Sequence, residues 1–146
     1  MIIRAAIDID APRTVVWQVF TTLEDWGRWN TACHECRLIE GRQLEEGACL
    51  SFVVKPFIFP VRVMPRVTAC DPGCEVVWEG GRWGVHAVHS WRFGARPEGT
   101  RLESTETFSG PLLPVARLLG VQRRLHDLTA HMLDQIRCRA EACRRM

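Results

Sequence analysis

The sequence predicts an α+β fold: a curved seven-stranded antiparallel sheet wrapped around one long C-terminal helix, with two short helices after the first strand. Three observations carry this. The last quarter places Leu118, Val121, Leu125, Leu128, Met132, Ile136, Ala140 and Cys143 three or four residues apart, the period of one helix face. The stretch from His34 to Phe108 keeps a period of two and is cut by turn signals into six segments. A lone alternating segment and two helical patterns come before it. An apolar helical stripe that long needs a sheet to lie against.

In chain order, Ile3, Ala5, Ile7 and Ile9 alternate with Arg4 and Asp8, as in a half-buried strand. Asp10-Ala11-Pro12 breaks the period and opens a helix with proline at its first position. Val16, Trp17, Val19, Phe20 and Leu23 supply its buried face. Residues 24–30, with Trp26 and Trp29 three apart, read as a second short helix. Strands follow at 36–40, 48–55, 61–70, 75–79, 85–93 and 100–108. Gly41, Gly47, Pro72-Gly73, Gly80-Gly81 and Pro97-Glu98-Gly99 mark the turns between them. Pro65 lies inside its segment, which places that strand at an edge or on a bulge. Short turns between close strands imply an antiparallel meander. Gly110, Pro111 and Pro114 open the terminal helix. From Val115 to Cys143 it would run roughly 40 Å.

At 146 residues, with no repeat, linker or low-complexity tract, residues 1–146 read as one domain with a core of its own. A hydrophobic share of 47% argues against disorder. The net charge of +2 is too small to imply nucleic acid. The arginines beyond Pro111 read as a solvated helix face with cations near a helix C-terminus. No signal-like segment and no run of ~18 apolar residues is present, so the expectation is a cytoplasmic protein without stable membrane insertion. Seven cysteines, an odd number, fit reduced thiols. Lys55 is the single lysine among many arginines, a usage that suggests a GC-rich bacterial source.

Alternation assigns candidate inward faces. Leu102, Ser104, Glu106 and Phe108 share one. Val85, Ala87, His89, Trp91 and Phe93 share another, Val76 and Trp78 a third, and Leu50, Phe52 and Val54 a fourth. His89 and Glu106 then look toward the helix, and buried groups of this kind need partners. They read either as a satisfied structural pair, as polar anchors for a ligand, or as a proton-transferring couple. Burial raises a glutamate's pKa and lowers a histidine's, the direction that acid/base work at neutral pH requires. No confident catalytic set emerges beyond these two candidates. Cys33 and Cys36, with Cys70 and Cys74, have spacings that zinc could use, but Cys70 reads as the end of a strand. No metal or cofactor is expected. No G-x-S-x-G, G-x-x-x-x-G-K or H-E-x-x-H occurs.

Four stretches carry a resemblance. Ile9-Asp10-Ala11-Pro12 with Val16-Trp17, Trp26-Gly27-Arg28-Trp29-Asn30, Gly99-Thr100-Arg101 through Glu106-Thr107-Phe108-Ser109-Gly110, and Ile136-Arg137-Cys138-Arg139-Ala140-Glu141 occur in that order. In this they resemble the helix-grip (SRPBCC, START-like) superfamily, which includes the birch-pollen allergen, START lipid-binding domains and bacterial polyketide cyclase/dehydrase-like proteins. The resemblance implies an apolar ligand cavity between sheet and helix and no fixed catalytic set. A fold of this kind hosts binders, carriers and enzymes alike.

The leading expectation is a binder or carrier of a small hydrophobic molecule: a lipid, polyketide, quinone or aromatic metabolite. Trp29, Phe52, Trp78, His89, Trp91, Phe93, Ser104, Glu106, Phe108, Leu118 and Leu125 are the candidate contacts. The alternatives are a cyclase or dehydratase moving protons with His89 and Glu106, and a protein-interaction module. Apolar Phe57-Ile58-Phe59 suggests either a homodimer contact or a lid over the cavity.

Overall fold

A computed structural model describes residues 1–56 and 58–146; Phe57, part of the suggested contact or lid, lies outside the described residues. The strands are β1 (Ile2–Ile9), β2 (His34–Glu40), β3 (Cys49–Val54), β4 (Val61–Val63), β5 (Arg66–Asp71), β6 (Glu75–Arg82), β7 (Val85–Arg96) and β8 (Gly99–Ser109). The helices are α1 (Arg13–Thr21), α2 (Trp26–Trp29), α3 (Leu113–Leu118) and α4 (Val121–Arg144). The sheet path is β1-β8-β7-β6-β5-β3-β2, antiparallel throughout, with β4 paired to β3 alone. This is the expected sheet-around-helix arrangement. Bulges in β2 and near Val67 bend the strands at that end.

Three local features differ from the sequence reading. The segment 61–70 is two strands, because Met64-Pro65 leaves the ladder and the Pro65 carbonyl accepts instead from the Leu50 N–H, 2.9 Å away. Gly80-Gly81 is not a turn. β6 runs through both glycines and reverses at Trp83-Gly84, where Arg82 pairs with Val85. A side chain at Gly80 would press on the Pro65 backbone, so this glycine serves a close approach. The terminal helix is likewise not continuous. Gly120 takes a left-handed conformation (φ 71°), which a non-glycine residue adopts at a cost, and the chain swings between α3 and α4. The helix-face register therefore breaks there, and Leu118 falls outside it, 87% exposed.

α4 lies across the sheet, packed on β1 and α1, and buries Thr129, Met132, Leu133, Ile136 and Ala140. Its end is fastened by an Arg144–Asp10 ion pair at 2.6 Å and by Glu141, which accepts from the Asp10 N–H. α1 closes one end of the space between sheet and helix. Phe20 packs against Trp91 at 5.0 Å, Phe93 at 5.2 Å, Trp26 at 5.6 Å and Trp78 at 5.9 Å, ring centre to ring centre. Trp17 meets Phe93 edge-on at 5.0 Å. At the other end Gly110 (φ 129°) rests against the Gly84 carbonyl, with no room for a Cβ. The β6–β7 turn is thereby set beside the start of α3.

Candidate functional site

Between the Phe20 plug and α3 lies a cavity of about 820 Å³, within the usual range for small-molecule sites. Its sheet wall carries Phe52, Val54, Trp78, Val85, Ala87, His89, Trp91, Glu106 and Phe108; its helix wall carries Leu125, Leu128, Thr129 and Met132. The inward faces proposed from alternation are those that line it. Large aromatic residues do not fill the hollow, because Phe20, Trp17 and Phe93 gather at its closed end while Trp78 and Trp91 form its floor.

Of the expected contacts, Phe52, Trp78, His89, Trp91, Glu106, Phe108 and Leu125 line the cavity. The other four do not. Phe93 is spent in the aromatic plug. Trp29 packs beside Trp26, with ring centres 6.0 Å apart, and it is Trp26 that reaches the cavity. Ser104 is buried one register step deeper, where its hydroxyl holds His89. Leu118 is turned outward by the break at Gly120. The sequence reading did not select Cys33, Thr129 and Met132. Leu128 and Met132 stand on the same helical stripe as Leu125, so spacing alone could have found them. Cys33, in the link between α2 and β2, gave no periodic signal.

The polar part of the floor is small. His89 and Glu106 are direct cross-strand partners in the β7–β8 ladder. The His89 Nδ1 stands 3.7 Å from the Glu106 carboxylate, and Nε2 is 2.7 Å from the Ser104 hydroxyl. The imidazole stacks on Trp91 at 4.3 Å and meets Trp78 edge-on at 5.7 Å. The buried Trp91 indole N–H has no acceptor among the described residues, a costly state for a buried donor. Glu106 is the only carboxylate among the described residues that line the cavity.

Burial drives the ionisation of this pair. It raises the Glu106 carboxyl from the ordinary 4.5 to about 7 and lowers the His89 imidazole from 6.5 to about 3. Near neutral pH the histidine is uncharged and the carboxyl stands near half-ionised. Burial also raises Cys33, with smaller contributions from Cys36 and Glu106, and lifts Cys36 to about 12. Both thiols therefore stay protonated and poorly nucleophilic. Among the described residues no three His, Cys, Asp or Glu side chains converge as metal ligands would.

The shift of Glu106 fixes a pH dependence. Its folded pKa lies above the unfolded value, so its contribution to stability is full below about pH 4.5 and is lost as pH rises through about 7. His89 works in the opposite sense: its contribution is full above 6.5 and is lost as pH falls toward 3. Glu106→Gln removes only the first term. Relative to the parent chain, the variant should gain on the order of 2–3 kcal/mol between pH 5 and pH 8, since each pKa unit is worth about 1.4 kcal/mol. Urea unfolding across that range reads the difference. A constant difference would mean that the carboxyl is not desolvated.

The sequence model of one family, described as polyketide cyclase / dehydrase and lipid transport, matches residues 2–141. No curated protein matches the chain in sequence. Solved structures match its fold closely at low identity. TTHA0849 from Thermus thermophilus is 18% identical with a TM-score of 0.82, over 98% of this chain and 99% of that one. The Zhui aromatase/cyclase from Streptomyces sp. R1128 is 14% identical with a TM-score of 0.79, over 97% and 93%. A START superfamily protein from Mycobacterium smegmatis is 12% identical with a TM-score of 0.77, over 97% and 98%.

Proposed function

Because the chain belongs to the polyketide cyclase/dehydrase and lipid transport family, we propose that it binds a small, largely apolar molecule in the hollow between sheet and α4. The cavity itself carries this reading: about 820 Å³ of space with apolar walls and one compact polar cluster at the floor. The whole chain then acts as one ligand-binding unit, its core running from Ile9 on β1 to Ala140 on α4. The floor favours a guest with a flat ring and an oxygen. The ring stacks beside Trp78, while the oxygen accepts from the protonated Glu106 carboxyl. A lipid, polyketide, quinone or aromatic metabolite meets this description in different degrees.

Native mass spectrometry of the purified chain tests the reading. The expected spectrum holds, besides the bare protein, a 1:1 adduct of a few hundred daltons that organic extraction removes. A chain that carries nothing, and takes up no apolar probe when offered one, would contradict it.

One observation supports a second reading, in which the guest also reacts. A carboxyl poised near pH 7 beside a neutral imidazole can both take and return a proton. Ionised Glu106 would take a proton from carbon next to a guest carbonyl. Returned to a leaving hydroxyl, that proton departs as water and a C=C bond forms, which is a dehydratase step. Here Glu106→Gln abolishes turnover while the guest still binds. Unchanged turnover on a verified substrate removes Glu106 from the chemistry.

A further inference from the structure

We propose that the mouth of the cavity docks on an anionic lipid bilayer surface. The inference goes beyond the binding proposed above and does not depend on which guest the cavity takes.

Three separate segments form the mouth, and each exposes apolar side chains. The β3–β4 link carries Ile58, 94% exposed, and Phe59. The β6–β7 turn carries Trp83, 60% exposed. α3 and its ends carry Leu112, Val115, Leu118 and Leu119, all exposed. Phe59, Trp83, Leu112, Val115 and Leu119 line the opening of the same cavity, and the turn at Gly84 lies against Pro111 and Leu112. The exposed side chains thus form one patch. Proteins in water rarely leave such a patch uncovered.

Charge points to the partner. The three stretches that supply the mouth, residues 50–69, 80–97 and 107–126, contain no aspartate or glutamate, although the chain as a whole has 17 acids against 19 lysines and arginines. Their Arg66, Arg92 and Arg96 pair with Glu40, Glu75 and Asp8 of neighbouring strands, while Lys55, Arg82, Arg117 and Arg123 have no carboxylate partner among the described residues. Arg62 is paired with Glu35, whereas Arg82 lies over the Trp83 ring at 4.7 Å, a cation beside the aromatic tip. Exposed leucine and tryptophan among arginines is the composition that settles at a lipid headgroup boundary and is drawn to anionic lipid. The shape agrees. The apolar residues stand on three tips around an opening. A peptide helix or strand needs a continuous groove or a free strand edge, and the free edge of β4 is only three residues long, whereas a deformable flat surface covers separate tips together.

Flotation with vesicles of phosphatidylcholine containing 30% phosphatidylglycerol tests this, against pure phosphatidylcholine vesicles and in 0.5 M NaCl. The chain should float with the anionic vesicles, at least tenfold less with the neutral ones, and less in high salt. Ile58→Glu and Leu118→Glu replace exposed residues that do not line the cavity. The double variant should lose flotation at least tenfold while an apolar fluorescent probe still binds, so that a failure of docking is distinguished from a failure of the cavity. Equal flotation with neutral vesicles, or full flotation of the double variant, overturns the proposal. So does a lack of flotation together with a concentration-dependent dimer that the double variant abolishes, since the patch is then an interface between two copies.

Discussion

Replacing Phe20 by alanine should lower the stability of the chain by about 3–5 kcal/mol, the usual cost of deleting a buried phenylalanine. Phe20 is fully buried and touches four other aromatic rings, Trp26, Trp78, Trp91 and Phe93. No neighbour can close the gap, because those rings are fixed on strands and on α2 and cannot slide together without breaking ladder hydrogen bonds. Much of the lost ring volume would then remain as a void joined to the existing cavity. Urea unfolding should show a lower midpoint at an unchanged slope. A loss under about 1 kcal/mol would mean that the plug repacks, and that α1 is not what closes this end. Trp17→Ala should cost less, since Trp17 is only partly buried and among the described residues meets one ring, Phe93.

The second large effect concerns binding. Ala87 lies on β7 between Val85, near the mouth, and His89, at the floor, and it faces the cavity with both. An indole at this position would stand across the passage from mouth to floor. Ala87→Trp should keep the fold, because its added bulk enters empty space, and should weaken binding of an apolar guest at least tenfold. A far-ultraviolet spectrum like that of the parent chain confirms the first part. Unchanged affinity would place the guest elsewhere.

The sequence shows the sheet and the cavity walls with little ambiguity. Period-two alternation in β6, β7 and β8 is clear from their aromatic members, Trp78, Trp91, Phe93 and Phe108, although Val77 and Val88 fall on the outer face. His89 and Glu106 inherit their inward direction from Trp91 and Phe108 on the same strands. Their direct pairing is less legible, because register depends on where the 97–98 turn falls. The two-residue reversal after Arg96 sets it.

The far end of the cavity reads less well for a different reason. The apolar residues of α3 continue the spacing of α4, so the pattern alone joins them into one helix and puts Leu118 on the buried face. One left-handed glycine, Gly120, changes that, and a glycine inside a helical pattern is compatible with either outcome. Gly80-Gly81 shows the same limit: the dipeptide that usually marks a turn lies here inside a strand, where a side chain at Gly80 would press on the Pro65 backbone. Ser104 looked like a ligand contact because it shares a face with Glu106. It is consumed instead in holding the imidazole, at 2.7 Å.

The account rests on an accessible hollow between the sheet and α4, and a titration with an apolar naphthylamine probe measures this most directly. In the parent chain, probe fluorescence should rise to saturation at one equivalent while emission from Trp78 and Trp91 is quenched, and in Ala87→Trp both changes should fall away. A linear, unsaturable response identical in the two chains would contradict it, because it would mean that nothing enters between sheet and helix.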